Sequence, residues 1–281
     1  MNHAMIDGTQ GHGSRLESVQ TVQETLEDIP AQLGLRPASP VFLLPYWAGM
    51  VPEDCGISAF AFLQGGHICL HTFSFRRGFF LDLVSPQPFE EAQIAELAQA
   101  AFGCRDIKTR TVSRTPAAVR NAATDVSSQF GPHLFLDFAD YEGPTAMGDV
   151  FDTFDRLPQL VGMTPIMRPY VIRGRVGGDR ILSAMTMIAE SHVSLHVFQD
   201  TRRAFFDLFS CRFFPASAVA EQITSVLQGW VVNHAVVGRG TRPEVNSSLA
   251  AQGRDRNMAW LHVLNQSLSS QPSTRDDQES T

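Results

Sequence analysis

The chain repeats itself. The segment GGHICLHTFSFRRGFFLDLVSP, from Gly65 to Pro86, returns as ESHVSLHVFQDTRRAFFDLFSC, from Glu190 to Cys211. Overlaid, His67 meets His192, His71 meets His196, Phe80 meets Phe205 and Asp82 meets Asp207. The repeat reaches further. ETLEDIPAQLGLRP (24–37) matches DTFDRLPQLVGMTP (152–165), Pro45-Tyr46 matches Pro169-Tyr170, and Ser58-Ala59 matches Ser183-Ala184. A duplication on this scale restricts the fold to two similar units packed on one another. The copies differ at reactive side chains. Gly65, Gly66 and Pro86 stand where the second copy has Glu190, Ser191 and Cys211.

Local patterning gives each unit its elements. Val19, Val22, Leu26 and Ile29, and again Met147, Val150, Phe151 and Phe154, recur at helical spacing, with Pro30 and Pro158 closing the two helices. SHVSLHVF alternates as a strand, with His192, Ser194, His196 and Phe198 one way and Val193, Leu195 and Val197 the other. AFFDLFS follows the polar turn QDTRR as a further strand. A closing helix carries Val219, Ile223, Val226, Leu227 and Trp230 on one face, and FEEAQIAELAQAAFG is its counterpart. PHLFLDF (132–138) and NHAMID (2–7) read as opening strands, and GRVGG (174–178) as a turn with no helix behind it. Each unit thus leaves one sheet face apolar, and two copies bury those faces together. The expected fold is α+β, a four-layer αββα sandwich of antiparallel sheets. Its halves are residues 1–120 and 125–245. The polar stretch 246–281 is expected to be a flexible tail, with RNMAWLHVLNQSL as a short helix.

Composition excludes several classes. A net charge of −7 leaves no basic excess for nucleic acid, and the pairs Arg76-Arg77 and Arg202-Arg203 read as turn residues. No apolar run reaches membrane-spanning length, and MNHAMIDGTQGHGSR lacks the pattern of a secretory leader, so a cytoplasmic protein is expected. Cys55, Cys69, Cys104 and Cys211 form no CxxC pair. The first three read as small core residues, and so do Phe79, Phe80, Phe205, Phe206, Phe209, Phe213 and Phe214. Lys108 is the only lysine and lies in a polar stretch. If the chain performs amine–carbonyl chemistry, the carbonyl must come from elsewhere.

ESHVSLH, with DLFSC at 207–211, FGPHLFLD near 130, GMTPIMRPYV near 162 and Ser183, resembles the self-processing region of the pyruvoyl-dependent S-adenosylmethionine decarboxylases. The likeness covers most of 130–240, and PEDCGISAF and HICLHTF repeat it more weakly. The resemblance implies self-cleavage between Glu190 and Ser191. The Ser191 hydroxyl attacks the Glu190 carbonyl, and β-elimination and hydrolysis leave a pyruvoyl group made from Ser191. That group forms a Schiff base with the amine of a small-molecule substrate and takes up the electrons released with CO₂. His196, placed on the strand face of Ser191, is the expected base, Ser183 the oxyanion donor and Cys211 the acid that reprotonates product. Bacterial members share sites between two protomers. Here both protomers lie in one chain, so Ser58 and His71 of the first half are the alternative pair. The halves pair within the chain; further dimerisation is left open.

Plainer readings stand beside this one. A Ser and a His on a half-buried strand are ordinarily packing residues. His192 and His196 suggest two metal ligands but no third, so no metal is expected. A Ser191–His196–Asp207 triad lacks the GxSxG elbow, and Asp207 is matched by Asp82 in the degenerate copy. Family members carry a Glu shortly after the second His, associated with the substrate ribose. Here Asp200 stands there, and Phe75 in the first copy. That change makes a pyruvoyl-dependent ornithine or arginine decarboxylase the second reading. A non-catalytic activator of another decarboxylase is the third.

Overall fold

The structure, a computed structural model, describes residues 1–47, 55–114, 130–189 and 191–240. The first half runs β1 (Asn2–Thr9), α1 (Gly13–Leu16), α2 (Val19–Gln32), β2 (Phe42–Trp47), β3 (Gly56–Leu63), β4 (Gly66–Phe73), β5 (Gly78–Ser85), α3 (Glu91–Phe102) and β6 (Asp106–Ser113). The second runs β7 (Gly131–Ala139), α4 (Met147–Leu160), β8 (Tyr170–Val176), β9 (Asp179–Ile188), β10 (Ser191–Phe198), β11 (Arg203–Ser210), α5 (Ala216–Leu227) and β12 (Trp230–Arg239). Each half forms one antiparallel six-stranded sheet. The orders are β2-β3-β4-β5-β1-β6 and β8-β9-β10-β11-β7-β12, the same topology twice. Segments 48–54, 115–129 and 241–281, with the expected tail and its helix, lie outside the described residues. No helix among the described residues is long and apolar enough to cross a membrane.

Strand alternation decides which side chains meet which layer. Along β4 and β5, Ile68, Leu70, Leu81 and Leu83 join Leu26, Ile29 and Ile94 of the helices. Along β10 and β11, Val193, Leu195, Phe206 and Leu208 join Phe154, Leu157 and Ile223. Each sheet therefore covers its apolar face with its own helices. The other positions of the same strands face the opposite sheet, and they are not apolar. His3, His67, His71, Asp82, His133, His192, Ser194, His196 and Asp207 are all buried there. The expectation that two apolar faces close on each other is corrected. The halves meet through a buried layer of charge, imidazole and aromatic rings, flanked by the patch of Phe60, Phe62, Cys69, Met185 and Met187.

Other differences have local causes. Both helices continue two residues past their prolines and stop at Gly34 and Gly162, whose φ values of 68° and 73° suit glycine. GRVGG is strand up to Val176. Only Gly177 and Gly178 (φ 56° and 91°) form the turn of the β8–β9 hairpin. Trp230 leaves the α5 face, opens β12 and is exposed, as is Phe213. Strands β6 and β12 are edge strands that the sequence reading did not mark. Exposed polar residues fill β6, so its pattern gives no period.

Candidate active site

The register builds the site at one end of the second sheet. On β10, Ser191 pairs with Ile188 of β9 and Ser210 of β11. Cys211, half-buried, is the next residue after Ser210, so the two positions lost together in the first half are brought to one place. Glu190 lies outside the described residues. Ser191 is buried, its hydroxyl has no hydrogen-bond partner among the described residues, and its φ of 154° is one that L residues rarely adopt. A buried hydroxyl without a partner costs free energy, as does such a backbone. Both costs fall on the residue expected to react.

The two candidate Ser–His pairs each form across neighbouring strands. Ser183 Oγ lies 2.9 Å from His196 Nδ1, and Ser58 Oγ lies 2.9 Å from His71 Nδ1. Each histidine then reaches across to the other sheet. His196 Nε2 is 2.8 Å from His67 Nδ1, and His71 Nε2 is 2.9 Å from His192 Nδ1. The repeat is thus also a pseudo-twofold in space. The placement of His196 on the strand face of Ser191 is corrected. The two stand at odd and even positions of one strand, and the even positions point into the inter-sheet layer. Both ring nitrogens of His196 are engaged by Ser183 and His67. The triad reading falls with it, because Asp207 serves Ser194 (2.6 Å), His133 (3.3 Å) and His192 (3.4 Å).

The sequence reading missed most of this polar layer. Arg239 of β12 crosses to the first half, bonding Asp7 (2.8 Å) and Asp82 (2.6 Å). Arg114, just past β6, crosses the other way to Asp137 (2.7 Å) and Asp207 (3.5 Å). His3 bonds Asp82 at 3.1 Å, and His133 bonds Asp207 at 3.3 Å. The signal was in the repeat. NHAMID and PHLFLDF both read His-x-x-x-Asp, giving His3 and Asp7, and His133 and Asp137. Arg114 and Arg239 each close a half.

Burial and charge set the titration of the layer. Burial holds His67 and His71 well below the usual imidazole range and pushes His133 and His196 down to about 3. Burial works against ionised Asp82 too, but Arg239 and His3 outweigh it; His133 and His192 do the same for Asp207. His192 is raised well above the usual range although burial opposes its charge. A thiolate at Cys69 would favour that charge, but burial pushes the Cys69 thiol up, so we assign the pull on His192 to Asp207 and Asp82. Asp200 does not enter the layer. It sits in the β10–β11 turn, half-exposed, with two bonds to Arg180 (2.9 and 2.6 Å).

A buried serine under strain, two mirrored Ser–His pairs and a duplicated sandwich define a class. The family model described as S-adenosylmethionine decarboxylase matches the chain twice, over residues 2–115 and 133–240. The chain belongs to the S-adenosylmethionine decarboxylase family, as a tandem duplication. No curated protein matches it. Among solved structures it is similar to the adenosylmethionine decarboxylase from Aquifex aeolicus. That likeness has 15% identity over 44% of this chain and 96% of the other, with a TM-score of 0.35. A protein of unknown function from Galdieria sulphuraria is similar at 10% identity over 80% of this chain and 89% of the other, with a TM-score of 0.19.

Proposed function

We propose that the chain cleaves itself between Glu190 and Ser191 and uses the resulting pyruvoyl group to decarboxylate S-adenosylmethionine, a step toward spermidine. The observation that carries this reading is Ser191: buried, strained, without a hydrogen-bond partner among the described residues, and paired in register with Ser210, the residue before Cys211. Its hydroxyl oxygen would bond to the Glu190 carbonyl carbon as the Glu190–Ser191 C–N bond breaks, giving an ester. A base then takes the Cα proton of Ser191, the Glu190 carboxylate leaves, and water converts dehydroalanine to pyruvoyl with loss of ammonia. Two preassembled pairs are the candidates for that base, His196 with Ser183 and His71 with Ser58, and either histidine has to give up its partner across the sheets to reach Ser191. Once formed, the group supplies a ketone that binds the substrate amine and accepts the electrons released with CO₂. Cys211 returns a proton to the product carbon.

One observation favours a second substrate class. Asp200, at the position of the ribose-associated Glu, is tied to Arg180 in a turn. A smaller amino acid, ornithine or arginine, needs no ribose carboxylate. Intact mass after purification tests the main reading. Two chains, one of residues 1–190 and one blocked by pyruvoyl from 191, are expected. A single uncleaved chain that still decarboxylates sinks it, and a single inactive chain favours the activator. Parallel assays with S-adenosylmethionine, ornithine and arginine then separate the substrates.

A further inference from the structure

Cys69 of β4 does not sit among the helix-facing residues. It lies in the inter-sheet layer, its Sγ 3.4 Å from His71 Nε2 and 3.6 Å from His192 Nδ1, and those two nitrogens are 2.9 Å apart. All three residues are buried, and they come from both halves. From this geometry we infer that Cys69, His71 and His192 form a binding site for a thiophilic divalent metal, zinc being the natural occupant. Zinc bonds sulfur at about 2.3 Å and imidazole nitrogen at about 2.0–2.1 Å, so tetrahedral S–N edges are near ~3.6 Å and the N–N edge near ~3.3 Å. Two of the three observed edges already fit, and the third has to open by a few tenths of an ångström.

The surroundings are built for ligation. Each histidine offers one nitrogen to the cluster; the other is hydrogen-bonded in His71, and in His192 it lies near a carboxylate without a hydrogen bond. His71 Nδ1 meets Ser58 Oγ at 2.9 Å, and His192 Nε2 faces Asp207 Oδ2 at 3.4 Å. A carboxylate behind a histidine is the usual second partner in zinc sites, where it fixes the ring and its tautomer. Binding would displace the Cys69 proton and the Nδ1 proton of His192, and the thiolate with nearby Asp207 would balance the ion's two charges. The fourth position is left to water or another small ligand. The pseudo-twofold supplies an internal contrast. The mate cluster is His67, Ser194 and His196, with His67 and His196 2.8 Å apart, but Ser194 donates its hydroxyl to Asp207. Having no thiol, that cluster is a poor metal site, so a single ion per chain is expected. The expectation of no third ligand beside the histidines is thereby revised: Cys69, from the other half, is brought to His192.

This inference goes beyond the proposed decarboxylation and is tested apart from it; a metal-bound His71 has no free nitrogen, so with the ion in place the processing base is His196. Ser191→Ala, which cannot be processed, is loaded with Co²⁺. Tetrahedral d–d absorption and a thiolate-to-cobalt charge-transfer band are expected at one cobalt per chain, displaced by Zn²⁺. Cys69→Ser in that background should abolish the charge-transfer band and weaken binding beyond the ~10–100-fold that loss of an outer partner costs. Replacing Cys55, Cys104 and Cys211 together by Ser should preserve the band. No band in the parent, a band that survives Cys69→Ser, or one lost when only the other three cysteines are replaced would each overturn the site. Should Cys69→Ser fail to fold, the parent and the triple variant still decide.

Discussion

The two halves have the same strand order, the same two long helices over the outer faces and the same His–Asp–Arg layer between the sheets. They differ at the β4 and β10 ends. Gly66 and Ser191 occupy equivalent places, but a Cβ at Gly66 would lie 1.9 Å from the Val84 carbonyl oxygen. The first half has therefore not simply lost a serine; its strand closes where only glycine fits. The second half holds Ser191 in a backbone that suits glycine and leaves its hydroxyl unpartnered. What the copies share is what closes the sandwich. What they do not share is concentrated at one hairpin end, where chemistry is expected.

The sharpest way to break that contrast is to give the second half the character of the first. Ser191→Ala removes the nucleophile, as Gly66 does, and should abolish both cleavage and decarboxylation, read by intact mass and CO₂ release. Cleavage that continues in Ser191→Ala would place the reacting bond elsewhere. The next largest effect separates the mirrored pairs. If the first half completes the site, His71→Ala and Ser58→Ala should slow processing by about 10²–10⁴-fold, the usual contribution of a positioned base. If the second half is self-sufficient, that loss moves to His196→Ala and Ser183→Ala. Cleavage rates of freshly synthesised precursor decide, and no change in any of the four removes both assignments.

The shared layer predicts symmetry instead. Arg239→Met removes the cation from Asp7 and Asp82, and Arg114→Met removes it from Asp137 and Asp207. Removing one partner of a buried ion pair costs about 3–5 kcal/mol, so both variants should lose stability by similar amounts in denaturant titrations. A large loss in one and none in the other would mean that the crossed arginines are not equivalent clasps.

How far the sequence exposes all this follows from its periods. Strands such as SHVSLHVF and GHICLHTF alternate cleanly because one face packs on aliphatic helices, and the duplication doubles that signal. The edge strand β6 escapes because solvent relaxes its pattern. The polar layer escapes for another reason. Arg114, Arg239, His3 and His133 are far apart in the chain, and only the crossing of one half over the other makes them neighbours. Cys69 shows the same limit. Its alternation with His67 and His71 is plain, but the His192 opposite comes from pairing two sheets. Ser191 and Cys211 were legible from the copy that lacks them, and β-pairing of Ser191 with Ser210 explains their proximity.

The smallest expected effect compares the halves through protons. His133 and His196 are buried and neutral, with pKa pushed down to about 3, against about 6.5 in an unfolded chain. Below pH 6.5 the unfolded chain binds protons that these two folded imidazoles refuse, so stability falls as pH drops from 6.5 toward 3. At 1.36 kcal/mol per unit, each costs about 2 kcal/mol by pH 5. His67 and His71, also lowered, act in the same direction. Asp82 and Asp207 are lowered too, but their contribution disappears only once pH falls below the usual carboxylate range near 3.8. His192 is the exception. Raised above 6.5, its contribution is present at low pH and is lost as pH rises through its folded value. His67 and His192 are equivalent in the repeat yet move oppositely: Asp207 favours charge on both, but around His67 burial and the imidazoles of His196, His192 and His3 outweigh it, whereas Asp82 adds to Asp207 at His192. Denaturant titrations of Ser191→Ala should show lower stability at pH 5 than at pH 7. His133→Gln should flatten that dependence by about one proton's share. Stability that holds or rises toward pH 5 would mean that the imidazoles between the sheets carry charge, and that the layer is held by ion pairs throughout.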